Sequence, residues 1–298
     1  MADPIPPKRI FPSSRIDAQA AAHVPSIPQT ESEAYKLAFQ DLDFLLREDL
    51  RPVRFQLELL KPELFLNEAK IGSTFVFYGS ARIPEPAMAD ALIGAATNDE
   101  QVRIAERLKA KSPYYDVARK LAQLASSCDR DLDGMRQFVV CSGGGPSIME
   151  AANRGAWDEG QDTIGLNIVL SHEQLPNRYV TPELSFQFHY FALRKMHFLL
   201  RARAVAVFPG GFRTFDELFE LLTLIQTGKV RPLPILLFGQ EFWTKVVDFQ
   251  ALADEGVISP NDLDLIHWSE DADEAWDYVT RYYEANPHPQ PVQTAPPE

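Results

Sequence analysis

"VFPGGFRTFDELFE", residues 207–220, runs from an apolar stretch through a Pro-Gly-Gly turn into an acidic helical pattern. A turn needs at most one glycine. The second leaves backbone open to close approach by a phosphate, a packing neighbour or nothing. The junction is one of a series. "STFVFYG" (73–79), "QFVVCSG" (137–143), "DTIGLNIVL" (162–170), "RAVAVFPG" (203–210) and "LPILLFG" (233–239) are short apolar runs, all but the third closing on glycine. Helical patterns separate or follow them over 99–127, 146–159, 183–200, 214–228, 240–254 and 270–284. Near-continuous apolar strands alternating with helices predict an α/β fold, a parallel sheet covered on both faces. The stretch 88–112 is longer than a tight connection needs, and no internal repeat is visible.

The flanks read differently. Residues 1–29 hold prolines at 4, 6, 7, 12, 25 and 28 with little periodicity, and 286–298 ("NPHPQPVQTAPPE") is alike, so both are expected to be disordered tails. Between the first tail and the sheet, 30–70 reads as a helical extension. Thr30 and Glu33 make a capping box for a helix through Arg47. A second helix covers about 53–65, with Pro62 expected to end or kink it. The domain proper is then 71–285.

Composition narrows the function. The chain has 298 residues, 45% of them hydrophobic, enough for a substantial core, and a formal charge of −13. An acidic surface argues against general binding of nucleic acid or anionic membrane, while leaving room for a local basic pocket. Cys128 and Cys141 offer neither a disulfide framework nor metal-ligand spacing, and Cys141 reads as a buried thiol. No apolar run is long enough to span a bilayer and no signal-peptide pattern opens the chain, so a cytoplasmic location is expected.

In a parallel sheet ligands sit beyond the carboxyl ends of the strands, where strand order reverses. Three glycine-bearing ends qualify: Gly79-Ser80, Gly143-Gly144-Gly145 and Gly210-Gly211. In "CSGGGPSIMEAANRGA" (141–156), triple glycine followed by proline at a helix start aims backbone N–H groups at an anion. The dinucleotide fingerprint fails because Ile148 stands at the third glycine, and no Gly-Lys-Ser/Thr follows for a Walker loop. A glycine-rich turn without ligand remains the plain alternative. After Gly210-Gly211, Thr214 and Glu217 form another T-x-x-E capping box, which alone accounts for both. Against that, Asp216 and Glu217 stand at a strand-end cleft, and capping needs only one carboxylate. In "SFQFHYFALRKMHFLLRARA" (185–204), Arg194-Lys195 interrupts a helix apolar nearly all round. Such a pair needs either an internal salt bridge, to Asp216 or Glu217, or an anion to face. His189 and His197, lone histidines among aromatics, read as packed.

Taken together, "GSARIPEP", "GGGPSIMEAANRGA", "IGLNI", "LRK" and "PGGFRTFDELFELLTLIQTGK" resemble the LOG (Lonely Guy) family of cytokinin-activating enzymes, often mislabelled "lysine decarboxylase". The match covers roughly residues 73–280, and the helical prefix is similar to that of the longer bacterial members. The resemblance implies a Rossmann-like three-layer α/β/α fold and hydrolysis of nucleoside 5′-monophosphates to free base and ribose 5-phosphate. It implies no metal or organic cofactor, and a homodimer, sometimes built into a higher oligomer. It places the catalytic pair on Arg194 and Glu217. Substrate and phosphate contacts fall on Gly79, Ser80, Gly143, Gly144, Gly145, Lys195, Gly210, Gly211, Thr214 and Asp216, and the family's acidic substrate contact on Glu173. Where the family has glycine this chain has Arg213, whose cationic side chain is expected to contact the phosphate directly.

The chemistry is coherent by itself. Breaking an N-glycosidic bond builds positive charge on the ribose, and a nearby carboxylate stabilises that charge and activates water. Glu217 is assigned that part, with Asp216 as its understudy, while Arg194 clamps phosphate or polarises substrate. Three competitors stand beside this reading. A nucleotide carrier that no longer cleaves would not need Glu217, a nicotinamide-dependent oxidoreductase lacks its third glycine, and a pyridoxal-phosphate decarboxylase would have only Lys195 near the site.

Overall fold

The computed structural model describes residues 13–127, 131–170 and 175–286. Of the two expected tails, residues 1–12 and 287–298 lie outside the described residues, as do Cys128 and Glu173. The chain divides into two compact units, Met1–Glu58 and Leu59–Glu298.

The first unit carries α1 (Ser14–Ala21), α2 (Leu42–Leu45) and the start of α3 (Arg51–Glu68). Within the stretch expected to be a tail, Ser13 caps α1 through the Ile16 N–H, and alanine and other good helix formers continue it. The single helix expected from Thr30 to Arg47 is instead a 3₁₀ turn at Glu33–Tyr35, the short α2 and a second 3₁₀ turn at Glu48–Leu50. Two causes are visible. The Thr30 hydroxyl accepts from the Ile27 N–H and donates to the Pro25 carbonyl, so it closes the preceding turn instead of opening a helix. None of the described residues in 13–58 is buried, and a helix without a packed face does not propagate far. Pro62 does not end α3; it is buried inside it, and the helix continues to Glu68.

In the second unit β1 (Thr74–Tyr78) is followed by α4 (Ala89–Gly94), α5 (Asp99–Lys109) and α6 (Pro113–Ser126). A small antiparallel ribbon, β2 (Asp131–Leu132) and β3 (Met135–Arg136), precedes β4 (Val139–Ser142), α7 (Ile148–Asp158) and β5 (Ile164–Ile168). Then come β6 (Ser185–Phe188), α8 (Phe191–Leu200), β7 (Ala202–Val207), α9 (Phe212–Gln226) and β8 (Ile235–Phe238). The chain continues through α10 (Gln240–Val246), α11 (Phe249–Asp254), β9 (His267–Ser269) and α12 (Ala272–Ala285). Proline at the first helical position of α6 separates it from α5, where one helix was expected over 99–127.

Seven strands form one parallel sheet in the order β6-β5-β4-β1-β7-β8-β9. Its two faces follow from the strand period of two. Phe75 and Phe77 join α6, α7 and α12 in one core, whereas Val76 and Tyr78 join α8, α9 and Leu66 of α3 in the other. This is the Rossmann-like three-layer α/β/α arrangement. β1 leads through α6 to β4, and its neighbour β7 leads through α9 to β8, with α6 and α9 on opposite faces. The crevice where connections part therefore opens between the carboxyl ends of β1 and β7.

A close approach holds α6 and α7 in register. A Cβ at Gly155 of α7 would lie 2.2 Å from the Arg119 carbonyl oxygen of α6, so only glycine lets the two helices meet. Gly155→Ala forces backbone apart and is expected to lower stability by about 1–3 kcal/mol, read as a reduced midpoint in urea unfolding.

Candidate active site

Three turns meet beyond the central strands. The Ser80 N–H after β1 donates to the Pro209 carbonyl after β7 (3.0 Å), and the Ser147 hydroxyl at the start of α7 donates to the Ile83 carbonyl. The glycines in these turns do different things. Gly79 makes room for Ile148, which a Cβ would meet at 2.7 Å. Gly144 takes φ +70°, which a side chain would strain, and packs on Asn167. Gly143 lets a guanidinium in, since a Cβ there would lie 2.6 Å from Arg194 Nη2. Gly210 accommodates Thr214, whose hydroxyl would be 2.1 Å from its Cβ, while Gly211 faces open space.

α9 starts at Phe212 with Gly211 as its cap, two residues before the expected start at Thr214. Thr214 is buried inside the first turn, so the T-x-x-E stretch is not a capping box and Glu217 has no cap to complete. No side chain caps this helix, and none caps α7, where Ser147 takes the strained angles φ 67°, ψ −125°. Two helix N-termini without side-chain caps therefore flank the crevice, each favouring negative charge.

Neighbours in sequence point about 100° apart on a helix, and both charged pairs are split by that rotation. Arg194 turns inward. Its Nε donates to the Leu166 carbonyl at 2.6 Å, its guanidinium lies 4.9 Å from the centre of the Phe198 ring, and its Nη1 stands 3.7 Å from Glu217 Oε1. Both side chains are nearly closed off, 7% and 10% exposed. Burial pushes the Glu217 carboxyl up to about 7, with Arg194 opposing; burial likewise draws Arg194 below its ordinary value. Lys195 turns outward to Asp216 and Glu220, 3.0 Å from each. Burial works against its charge, but the hydrogen bonds and charges of Glu220 and Asp216 outweigh it and hold its pKa above the ordinary lysine value.

A buried polar network fixes the triple-glycine turn. Ser142 Oγ accepts from the Gly144 N–H (3.0 Å) and donates to Asn153 Oδ1 (2.7 Å). Asn177 Nδ2 donates to Asn153 Oδ1 and the Gly145 carbonyl, and its N–H to the Gly144 carbonyl. Sequence reading passed over Asn153 and Asn177. The available signal was Asn153 itself, a polar residue on the buried stripe of α7 between Ala152 and Ala156. A groove of about 940 Å³, lined by Leu199, Leu224, Leu233 and Tyr282 among others, opens at the amino ends of β7 and β8 and contains none of the candidate residues.

A family model described as "Possible lysine decarboxylase" matches residues 149–279. A rice protein (Oryza sativa subsp. japonica) named "Probable cytokinin riboside 5′-monophosphate phosphoribohydrolase" is 25% identical over 181 residues, 58% of this chain and 78% of its own length. An Arabidopsis thaliana protein named as a cytokinin riboside 5′-monophosphate phosphoribohydrolase is 27% identical over 154 residues, 50% of this chain and 67% of its own. The matched family and the names of both relatives support the LOG family for this chain. Among solved structures, the molybdenum cofactor carrier protein from Chlamydomonas reinhardtii aligns with a TM-score of 0.41 at 14% identity, over 71% of this chain and 99% of that one.

In this chain the expected pair, Arg194 and Glu217, comes together with Gly143, Gly210, Gly211 and Thr214 around the crevice. Gly143, Gly144 and Gly145 are themselves buried, whereas Gly211 and Arg213 are exposed. Lys195 and Asp216 pair with each other on the flank of α9, and Glu173 lies outside the described residues. An amine held charged by two carboxylates is poorly suited to carry pyridoxal phosphate, which speaks against the decarboxylase label at Lys195. Cys141 is a free buried thiol, its pKa raised by burial, and is chemically quiet.

Proposed function

We propose that this chain hydrolyses the N-glycosidic bond of nucleoside 5′-monophosphates, AMP or cytokinin riboside monophosphates, to free base and ribose 5-phosphate. The observation that carries the reading is the closed-off Glu217 carboxylate, 3.7 Å from Arg194 at the strand-end crevice, beside a helix start with no side-chain cap. The names of the two plant relatives support the same substrate class.

In this reading the work divides as follows. Phosphate binds at the start of α9, over the open Gly211, and the ribose lies toward Glu217. As the bond to the base lengthens, positive charge grows on the sugar, and the ionised Glu217 stabilises it and takes a proton from the attacking water. Arg194 keeps that carboxylate ionised in a setting that would otherwise protonate it, and polarises the substrate. We adopt as part of the proposal the homodimer that the resemblance implies and the cytoplasmic location expected from the sequence.

A panel of nucleoside 5′-monophosphates, incubated with pure protein and assayed for free base and ribose 5-phosphate, tests the reading. Equal amounts of both products are expected from at least one member. Binding without release of base would assign a nucleotide-binding protein instead.

A further inference from the structure

A phosphomonoester carries a charge of about −1.5 to −2 near neutral pH, and one helix start supplies only about half a positive charge. The obvious cations are already engaged. Arg194 faces Glu217 and the Leu166 carbonyl, and Lys195 is held by Asp216 and Glu220. Two arginines at the crevice are not. Arg82 lies on the segment 80–83, pinned on one side to Pro209 through the Ser80 N–H and on the other to Ser147 through the Ile83 carbonyl. Its own N–H bonds Ser80 Oγ at 3.0 Å, which folds the segment into a compact turn at the end of the central strand β1. Arg213 is the second residue of α9, one turn before Glu217 on the same helix face. Both are exposed, and among the described residues neither guanidinium forms an ion pair or hydrogen bond.

We propose that Arg82 and Arg213 form a two-pronged clamp on the substrate's 5′-phosphate, from the turns after β1 and β7, and that Arg194 carries none of the phosphate charge. The proposal rests on the reading of the crevice as a nucleoside monophosphate site. It gives Arg82 a function and makes Arg213, where the family has glycine, a specificity determinant for the phosphate. Such a clamp selects nucleotides over nucleosides by charge and by paired hydrogen bonds, for which the guanidinium fork is suited.

The test is calorimetric titration of AMP, ribose 5-phosphate and adenosine into the wild-type chain and into Arg82→Ala, Arg82→Lys, Arg213→Gly and Arg213→Lys. Each truncation is expected to weaken AMP and ribose 5-phosphate by about 10- to 100-fold, leave adenosine unchanged, and lose part of its effect in high salt. The lysine variants should recover much of the loss. With turnover measured in parallel, KM should rise in both sets of variants, and kcat should hold in the Arg82 variants. AMP affinity within twofold of wild type in Arg82→Ala, or an equal loss for adenosine, overturns the clamp. If no nucleotide is cleaved but the truncations still weaken AMP selectively, the clamp stands and the hydrolase reading falls. If AMP does not bind the wild-type chain, both fall.

Discussion

Glu217→Gln is expected to cut turnover by about 10²- to 10⁴-fold while the protein melts at a higher temperature than wild type at pH 8. The two effects share one cause. A carboxyl raised from its ordinary value near 4.5 to about 7 is one whose ionised form the fold disfavours. Below pH 4.5 the group is protonated in both folded and unfolded chains and costs nothing. Between 4.5 and 7 the unfolded chain ionises first, so stability drains away as pH rises. Above 7 the penalty is complete, on the order of 3 kcal/mol. Glutamine keeps the shape without the charge, so the variant's advantage should be absent near pH 4.5, grow through that window and level off above 7. Turnover in the wild-type chain should fall by about tenfold per pH unit below about 7, as the base takes up its proton. A Glu217→Gln chain with near-normal kcat would remove this residue from the chemistry.

Arg194→Ala is expected to be the most damaging single change at the site. Removing one member of a buried pair leaves the other uncompensated, at a cost of about 3–5 kcal/mol when the survivor must stay charged. Glu217 can escape part of that cost by keeping its proton, so its pKa should move further up. Two readouts follow. The acid limb of the pH–rate profile should shift upward from about 7, with a large loss of kcat at neutral pH. The stability deficit relative to wild type should be constant below about pH 7, where both folded chains keep Glu217 protonated, and widen above it, where only the wild-type fold ionises this carboxyl. Arg194→Ala combined with Glu217→Gln should regain stability without regaining turnover. A deficit independent of pH would show that Arg194 acts through its packing on Phe198 and its bond to the Leu166 carbonyl, not through Glu217.

Much of this architecture could be read from residues because β1, β4, β7 and β8 are buried on both faces. Such strands announce themselves as apolar runs, and three of the expected runs end on the glycines that bound the crevice. The edges were harder. β6 is only Ser185–Phe188, with Phe186 and Phe188 buried and Gln187 exposed, and it leads almost directly into the apolar α8. Its alternation was absorbed into a helical pattern. β9 has three residues, too few for a period to show. The site pair was legible in outline, but its wiring was not. Arg194 and Lys195 are adjacent, as are Asp216 and Glu217, and linear order does not say which cation meets which anion. Helical rotation decides it, sending Arg194 to Glu217 and Lys195 to Asp216. The capping box at Thr214 misled because glycine, which offers no side chain to cap with, took the cap position three residues earlier than the pattern allowed. Asn153 and Asn177 act through long-range contacts that no local pattern carries.

The most direct test of the central claim is a crystal structure of the Glu217→Gln chain bound to AMP. The account predicts the phosphate at the start of α9 beside Gly211, and the residue 217 side chain within about 3.5 Å of the ribose ring near C1′. A nucleotide seated with its sugar away from residue 217, or that side chain turned from the ribose, would contradict it.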